Sequence, residues 1–134
     1  MPLLEWRDEH SVGVWTLDAQ HKQLIGFINE LQLAIVSGRA KQVVEEMLQK
    51  LTVYAKTHIE TEERMLRTHG YPDFVQHKAQ HDAYTVKMQK FQQQHAAGQT
   101  ISIELLKFLK EWWSHHILKI DRQYTDFLTS RNAS

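Results

Sequence analysis

Histidines and carboxylates at helical spacing are the residues of this 134-residue chain that could do chemistry. Five of its nine histidines and two of its carboxylates fall in the apolar stripes of four separate segments. They are His21, His58, Glu62, His77, His81, His116 and Asp121. Imidazole nitrogens and carboxylate oxygens bind metal ions, whereas an unpaired carboxylate in a core costs several kcal/mol or becomes protonated. The sequence therefore predicts a metal centre, and a pair of iron ions is its expected occupant.

Two of the segments carry these residues four positions apart. Residues i and i+4 lie on one face of a helix, so His58 with Glu62, and His77 with His81, can each face a common centre. Met65 continues the apolar stripe beyond Glu62. A lone histidine on such a face is more often a hydrogen-bonded core residue than a ligand. The coincidence across four segments nevertheless favours metal ligands.

The last pair, His116 and Asp121, is spaced differently. Five residues on an ideal α-helix separate two side chains by about 140°. A bulged turn of the i→i+5 kind would bring them closer, and such turns occur at functional sites. Alternatively, the two residues approach the centre from different sides of the helix. Spacing alone does not favour Asp121 over Glu111, which lies four residues before His115.

Composition limits the metal and excludes several classes of function. The chain has no cysteine, which excludes disulfides, iron–sulfur clusters and thiolate zinc sites. Nitrogen and oxygen ligands fit iron, and on affinity alone they also admit zinc, manganese or copper. Lys plus Arg equals Asp plus Glu at 16 each, so there is no basic footprint for nucleic acid. No apolar run suits a membrane span and the N-terminus resembles no signal peptide, so a cytoplasmic protein is expected.

Four amphipathic helices are predicted to carry these residues. Apolar residues recur with a period of 3.6 over about 17–36, 41–68, 72–95 and 101–128, and glycine-containing stretches separate the segments. Residues 1–16 are predicted to form an irregular N-terminal arm, and residues 1–134 a single domain. The short connections predict an all-α protein, an antiparallel up-down-up-down four-helix bundle. One exposed polar face per helix makes a monomer the default expectation.

The ordered set of motifs resembles the hemerythrin family, in particular its single-domain bacterial members, the bacteriohemerythrins. The motifs are His21, His58-x3-Glu62, His77-x3-His81 and His116-x4-Asp121, and the match covers nearly the whole chain. The resemblance implies a non-haem di-iron centre with an oxo or hydroxo bridge. It also implies that Glu62 and Asp121 bridge the two irons, and that the protein binds O2 reversibly as a carrier or store rather than acting as an enzyme.

The resemblance assigns the histidines unequally to the two irons. His77, His81 and His116 would hold one iron, while His21 and His58 would hold the other. With both carboxylates and the bridge counted, the first iron has six ligands and the second has five, which leaves one open position for O2. An apolar lining would exclude water from that position. Its expected members are Leu24, Ile59, Trp112, Trp113 and Ile117.

Two other classes of function remain open at this point. A di-iron enzyme, such as a peroxidase, ferroxidase or nitric-oxide-consuming protein, could use the same ligands. However, a ligand set with only two carboxylates stabilises high-valent iron less well than one with more carboxylates. An O2 or redox sensor would be expected to act through a separate partner, since no residues remain for a signalling domain.

Several further polar residues are expected to lie outside the centre. Glu63 is turned off the core face and is expected to be a surface charge. His115 is rotated by about 100° from His116 and is expected to face away from the metal. Tyr54 and Tyr84 are expected to be core residues whose hydroxyl groups find hydrogen-bond partners.

Overall fold

The chain forms an antiparallel up-down-up-down four-helix bundle, which confirms the predicted fold class. The computed structural model describes residues 3–130, so the first two residues of the predicted arm lie outside the described part. The helical elements are a first 3-10 turn (Asp8–His10), α1 (Trp15–Val36), α2 (Ala40–Thr68), α3 (Phe74–Ala96), α4 (Ser102–Glu111), a π-helix (Trp112–Ile120), a second 3-10 turn (Asp121–Tyr124) and α5 (Thr125–Ser130). Within the described residues, no helix combines the length and apolar character needed to cross a membrane.

The helix ends lie within two residues of the predicted ones, and two differences bear on the fold. Helix α1 begins at Trp15 rather than near residue 17, because the backbone N–H of Asp18 already donates to the carbonyl of Val14 at 2.9 Å. The fourth segment is not one regular α-helix, since it changes from α to π geometry after Glu111. The second change lies within the predicted metal centre and affects its geometry directly.

The turn after α2 shows why the segments reverse where glycines occur. Gly70 has a φ of 72°, its N–H donates to the carbonyl of Arg67, and the N–H of Tyr71 donates to the carbonyl of Leu66. These bonds satisfy carbonyl groups that have no partner inside the helix. Residues with a Cβ rarely adopt this φ, so glycine is suited to closing the turn between α2 and α3.

The N-terminal arm is attached to α1 by side chains of that helix. The side-chain amide of Asn29 donates to the carbonyl of Leu4 at 2.8 Å and accepts from the N–H of Leu4 at 2.9 Å. Asp18 accepts a hydrogen bond from the N–H of Val12 at 2.9 Å. Val12 and Val14 are fully buried. The arm is therefore irregular, as predicted, yet part of it belongs to the core.

Two apolar clusters fill the bundle. The large apolar cluster consists of Leu24, Ile25, Ile28, Leu31, Val44, Met47, Leu48, Leu51, Tyr54, Tyr84, Met88, Phe91, Ile101, Leu105, Leu106, Leu109, Trp113 and Ile117. The small apolar cluster consists of Val12, Val14, Leu17, Leu66, Tyr71, Tyr124 and Leu128. Every long segment contributes to the large cluster, so its burial stabilises the bundle as a whole.

Candidate metal centre

The seven predicted ligand residues form one buried polar layer between the two apolar clusters. On α1, His21 lies between Leu17 of the small cluster and Leu24 of the large one. On α2, the ligand positions lie between Tyr54 of the large cluster and Leu66 of the small one. The seven side chains have exposed fractions between 0% and 4%. Polar groups at this depth require partners, because water does not reach them.

The layer divides into two groups that share both carboxylates. One group contains Glu62, His77, His81, His116 and Asp121, and the other contains His21, His58, Glu62 and Asp121. Within each group the potential ligand atoms lie within 4.8 Å of one another. Three histidines therefore lie on one side of the carboxylate pair, the three-histidine side, and two lie on the other, the two-histidine side.

Each carboxylate turns one oxygen towards the three-histidine side. Oε1 of Glu62 lies 3.0 Å from Nε2 of His81. Oδ1 of Asp121 lies 3.0 Å from Nε2 of His77 and 3.0 Å from Nε2 of His116. All three imidazoles thus present the same ring nitrogen, Nε2, to the carboxylate oxygens.

The remaining oxygen of each carboxylate faces the two-histidine side. Oδ2 of Asp121 lies 3.3 Å from Nε2 of His21, and Oε2 of Glu62 lies 3.3 Å from Nε2 of His58. Oε2 of Glu62 is also 3.9 Å from Nε2 of His21. A carboxylate that gives one oxygen to each of two neighbouring groups has the arrangement needed to bridge two metal ions.

The π-helix brings His116 and Asp121 to the same centre although five residues separate them. The backbone N–H of Asp121 donates to the carbonyl of His116, so Asp121 lies one wide turn beyond His116 rather than about 140° around an α-helix. Of the two geometries that spacing left open, the i→i+5 turn is the one that forms. Glu111, the alternative carboxylate, is exposed.

Two glutamine side chains contact ligand histidines at Nδ1, the ring nitrogen that does not face the carboxylates. Oε1 of Gln20 lies 2.7 Å from Nδ1 of His58, and Oε1 of Gln80 lies 2.7 Å from Nδ1 of His116. An acceptor at Nδ1 keeps a proton there and leaves Nε2 available for a metal. Sequence reasoning missed both glutamines. Each acts on a histidine of another segment, which no spacing within one helix can reveal.

Glu63 contacts the centre, so its assignment as a surface charge was wrong. Its Oε2 lies 2.9 Å from Nδ1 of His81, and its side chain is only 17% exposed. The expectation failed because Glu63 is turned away from the axis of the bundle but towards α3, where His81 presents its rear nitrogen. The packing of α2 against α3 decided this contact.

Tyr124 is a further residue that sequence reasoning missed. Its side chain is fully buried, and its hydroxyl donates to Oε2 of Glu62 at 2.9 Å. The hydrogen bond restrains a carboxylate that faces both sides of the polar layer. Its place three residues after Asp121 was the available signal, since residues i and i+3 share a helix face.

The other two tyrosines near the centre correct an expectation. In the described part of the chain, the buried hydroxyl groups of Tyr54 and Tyr84 have no hydrogen-bond partner. Both residues belong to the large apolar cluster, where the neighbours offer few polar atoms. The ring of Tyr54 stacks on that of His58, with centroids 5.6 Å apart and an interplanar angle of 9°. Tyr54 therefore supports a ligand by packing, whereas the ring of Tyr84 packs on Phe108 and Trp112.

The buried carboxylates and imidazoles shift one another's pKa values. Burial by itself raises the pKa of Glu62, but the charge of His58 and the contact with His21 hold that pKa well below its ordinary value. Burial lowers the pKa of His21 and of His77, yet Asp121 and Glu62 outweigh burial and raise them to about 9 and about 10. The two carboxylates thus demand positive charge in the layer, which either protons or metal cations supply.

Unsatisfied polar atoms support a metal rather than protons as the natural partner. Several of these atoms lie 3.0–3.3 Å from one another but do not meet in hydrogen-bonding geometry. Among the described residues, the buried atoms without a hydrogen bond include both ring nitrogens of His21, Nε2 of His81, Nε2 of His116 and both carboxylate oxygens of Asp121. Buried polar atoms are nearly always satisfied in folded proteins. Nitrogen and oxygen donors without thiolate are suited to iron and to several other transition metals. The residues therefore fit a metal centre.

The residues predicted to line an O2 position lie at the boundary of the polar layer and the large apolar cluster. Leu24, Trp113 and Ile117 are buried members of that cluster, and Ile59 and Trp112 are partly buried against it. The ring of Trp112 stacks on His116, with centroids 3.9 Å apart. Their role as a lining stays a prediction.

Comparisons with known proteins agree with this geometry. The model of the hemerythrin HHE cation-binding domain matches residues 12–128. A bacteriohemerythrin of Stenotrophomonas maltophilia (strain R551-3) is 31% identical over 126 residues, which cover 94% of this chain and 82% of that protein. A bacteriohemerythrin of Methylococcus capsulatus (strain ATCC 33009 / NCIMB 11132 / Bath) is 29% identical over 132 residues, which cover 97% and 100%. A crystal structure of wild-type hemerythrin is similar with a TM-score of 0.84 at 28% identity, covering 93% of this chain and 97% of that one.

Proposed function

We propose that this chain, which belongs to the hemerythrin family, binds O2 reversibly at a pair of iron ions held in the buried polar layer. The proposed iron ligands are His21, His58, Glu62, His77, His81, His116 and Asp121. One observation carries the proposal: Glu62 and Asp121 each turn one oxygen to the three-histidine side and one to the two-histidine side. Two bridging carboxylates shared by unequal sets of histidines support two ions with unequal numbers of ligands.

The inequality supports an open position on one side only. The three-histidine side offers one imidazole more than the two-histidine side, and the two carboxylates serve both sides equally. When the first side is saturated, the second lacks one ligand, and a small molecule can bind there. Paired iron ions would supply the electrons that O2 takes up on binding and returns on release.

Residues around the ligands hold them in place. Tyr124 restrains Glu62 by donating to its Oε2. Gln20 and Gln80 accept from the rear nitrogens of ligand histidines and so fix the ring tautomers. Such restraints reduce the rearrangement that ligand binding would otherwise require.

Apolar neighbours support reversible binding rather than turnover. Leu24, Trp113 and Ile117 are nearly inaccessible to water, with exposed fractions of 0%, 4% and 1%. We propose that they, with Ile59 and Trp112, exclude water and stray proton donors from the open position. The five-to-two excess of histidine over carboxylate also favours a carrier or store over an oxidative enzyme.

The proposal is tested by the visible spectrum of the iron-loaded protein. Protein reduced without air should form a stable oxygenated spectrum on exposure to air and lose it again under argon. His116→Ala should abolish this spectrum, whereas His115→Ala is the matched control, because the neighbouring His115 is exposed. Immediate irreversible oxidation of the wild-type protein would contradict reversible binding. Rapid turnover with peroxide or nitric oxide, lost in His116→Ala, would support the enzyme alternative.

A further inference from the structure

The ligand histidines differ in the group that contacts their Nδ1 atom, on the side of the ring away from the proposed metal. Nδ1 of His58 and Nδ1 of His116 each contact a neutral glutamine amide at 2.7 Å. Nδ1 of His81 instead contacts Oε2 of Glu63 at 2.9 Å. The described contacts therefore place one carboxylate and two amides at equivalent positions behind three proposed iron ligands.

Two adjacent carboxylates of α2 contact the two ring nitrogens of His81, one at each nitrogen. Oε1 of Glu62 lies 3.0 Å from Nε2 of His81, while Oε2 of Glu63 lies 2.9 Å from its Nδ1. Successive residues of an α-helix point about 100° apart. Glu62 can therefore face into the polar layer while Glu63 reaches around the outer side of the same imidazole.

A carboxylate behind an imidazole has a different effect from an amide. A hydrogen bond to a charged acceptor is roughly twice as strong as one between neutral groups. It also makes the imidazole a more basic ligand for the metal on its other nitrogen. Since the Glu63 side chain is only 17% exposed and His81 is 1% exposed, water screens this interaction incompletely.

We propose that Glu63 is a positioning residue that acts through His81 to lower the reduction potential of the metal centre and to strengthen O2 binding. Electron density given to the iron by His81 stabilises the ferric more than the ferrous state. Oxygen binding draws electrons from the iron, so the same effect favours it. The inference rests on the proposed function insofar as it assumes that iron occupies the layer.

Glu63→Gln tests the proposal with the smallest change of shape. It converts the contact behind His81 into the amide contact already present behind His58 and His116. The midpoint potential of the iron-loaded protein should rise, with a shift of about tenfold in the ferric-to-ferrous ratio at a given potential, about 59 mV for one electron. The oxygen affinity should fall, and the exchangeable Nδ1 proton of His81 should shift in the proton NMR spectrum of the reduced protein.

Two further variants separate this contact from general charge effects. Gln80→Glu places a carboxylate behind His116 and should lower the potential. Glu60→Gln removes one negative charge from an exposed position of the same helix and should leave the potential within error. Iron content and circular dichroism establish that each variant is loaded and folded.

The outcomes distinguish this inference from the proposed function. An unchanged potential in loaded Glu63→Gln, or an equal shift in Glu60→Gln, would overturn the role of Glu63 even if the wild-type protein binds O2. If Glu63→Gln fails to retain iron, Gln80→Glu decides, since a lower potential supports the mechanism and an unchanged one overturns it. The potential is measured without O2, so it can support the role of Glu63 even if no oxygenated spectrum forms.

Discussion

The large apolar cluster and the buried polar layer are built by the same four segments, with about one helical turn between them. On α2, Tyr54 belongs to the apolar cluster, and His58, four residues later, belongs to the polar layer. The side chains of the cluster are buried against one another, and its atoms without a hydrogen-bond partner in the described part of the chain include the hydroxyl groups of Tyr54 and Tyr84. The layer retains buried nitrogen and oxygen atoms without hydrogen-bond partners, including both oxygens of Asp121, among the described residues.

One bundle thus combines a stabilising region with a site that can bind metal. The apolar cluster gains free energy from burial alone, at roughly 25 cal/mol per Å² of apolar surface. Burying the polar layer costs free energy, and the free energy of metal binding offsets that cost. We therefore expect substitutions in the part of the cluster away from the ligands to act independently of metal, and substitutions in the layer to act through it.

The largest effect is expected from Glu62→Ala. This carboxylate supplies one oxygen to each side of the layer, so its loss should lower the iron content of both proposed sites and abolish oxygen binding. Iron analysis of the purified variant measures this effect. Glu60→Ala, at an exposed position of α2, is the control. Two full equivalents of iron retained in Glu62→Ala would show that Glu62 does not bridge.

Removal of the metal from the wild-type protein comes next. A ligand present at a thousand times its Kd stabilises the folded state by about 4 kcal/mol. We expect a loss of at least that size on chelation, measured by denaturant unfolding of the loaded and metal-free forms. The α-helical circular dichroism of the metal-free protein should persist under mild conditions, because the large apolar cluster does not depend on metal. Equal stability of the two forms would contradict the comparison.

Leu105→Ala examines the apolar side of the comparison. Leu105 is fully buried in the large cluster, so the substitution should cost about 2–5 kcal/mol in the free energy of unfolding. The cost should be similar in loaded and metal-free protein, and the iron content should stay unchanged. Ile103→Ala, at a position of α4 that is 64% exposed, should cost little. A cost for Leu105→Ala that appears only in the loaded form would indicate coupling between cluster and layer.

The smallest effect is expected from Tyr124→Phe, at the boundary of the two kinds of environment. The variant keeps the ring in the small apolar cluster and removes the hydrogen bond to Glu62. We expect a loss of about 1–2 kcal/mol in the loaded protein, with the iron content retained. Tyr71→Phe is the control, because it removes a hydroxyl group from a neighbouring tyrosine of the same cluster. The rings of Tyr71 and Tyr124 meet edge to face, with centroids 6.2 Å apart. Loss of iron in Tyr124→Phe would assign Tyr124 a larger part in assembly of the centre.

The fold was largely predictable because its signals are local. Apolar residues with a period of 3.6 predicted four helical segments, and Gly70 marked a reversal that the structure closes with a left-handed turn. The same local periodicity paired His58 with Glu62 and His77 with His81. What periodicity could not predict was the change to π geometry, because a helical pattern does not say which hydrogen-bond register the backbone adopts.

The contacts behind the ligands were predictable to a much smaller extent. Gln20 acts on a histidine 38 positions away, and Glu63 acts on one 18 positions away. Such contacts depend on how α1, α2 and α3 are rotated against one another. The angular position of Glu63 on α2 alone indicates solvent, because it does not take the neighbouring helix α3 into account.

Residue types and their spacing indicate which side chains could form a metal centre and that four helices carry them, because both are properties of short stretches of chain. The tertiary structure alone decided that His116 and Asp121 meet through an i→i+5 turn. It also decided which oxygen of Glu62 faces which histidines. These features arise from the packing of segments distant in the chain, where the burial of two carboxylates among five histidines selects one arrangement.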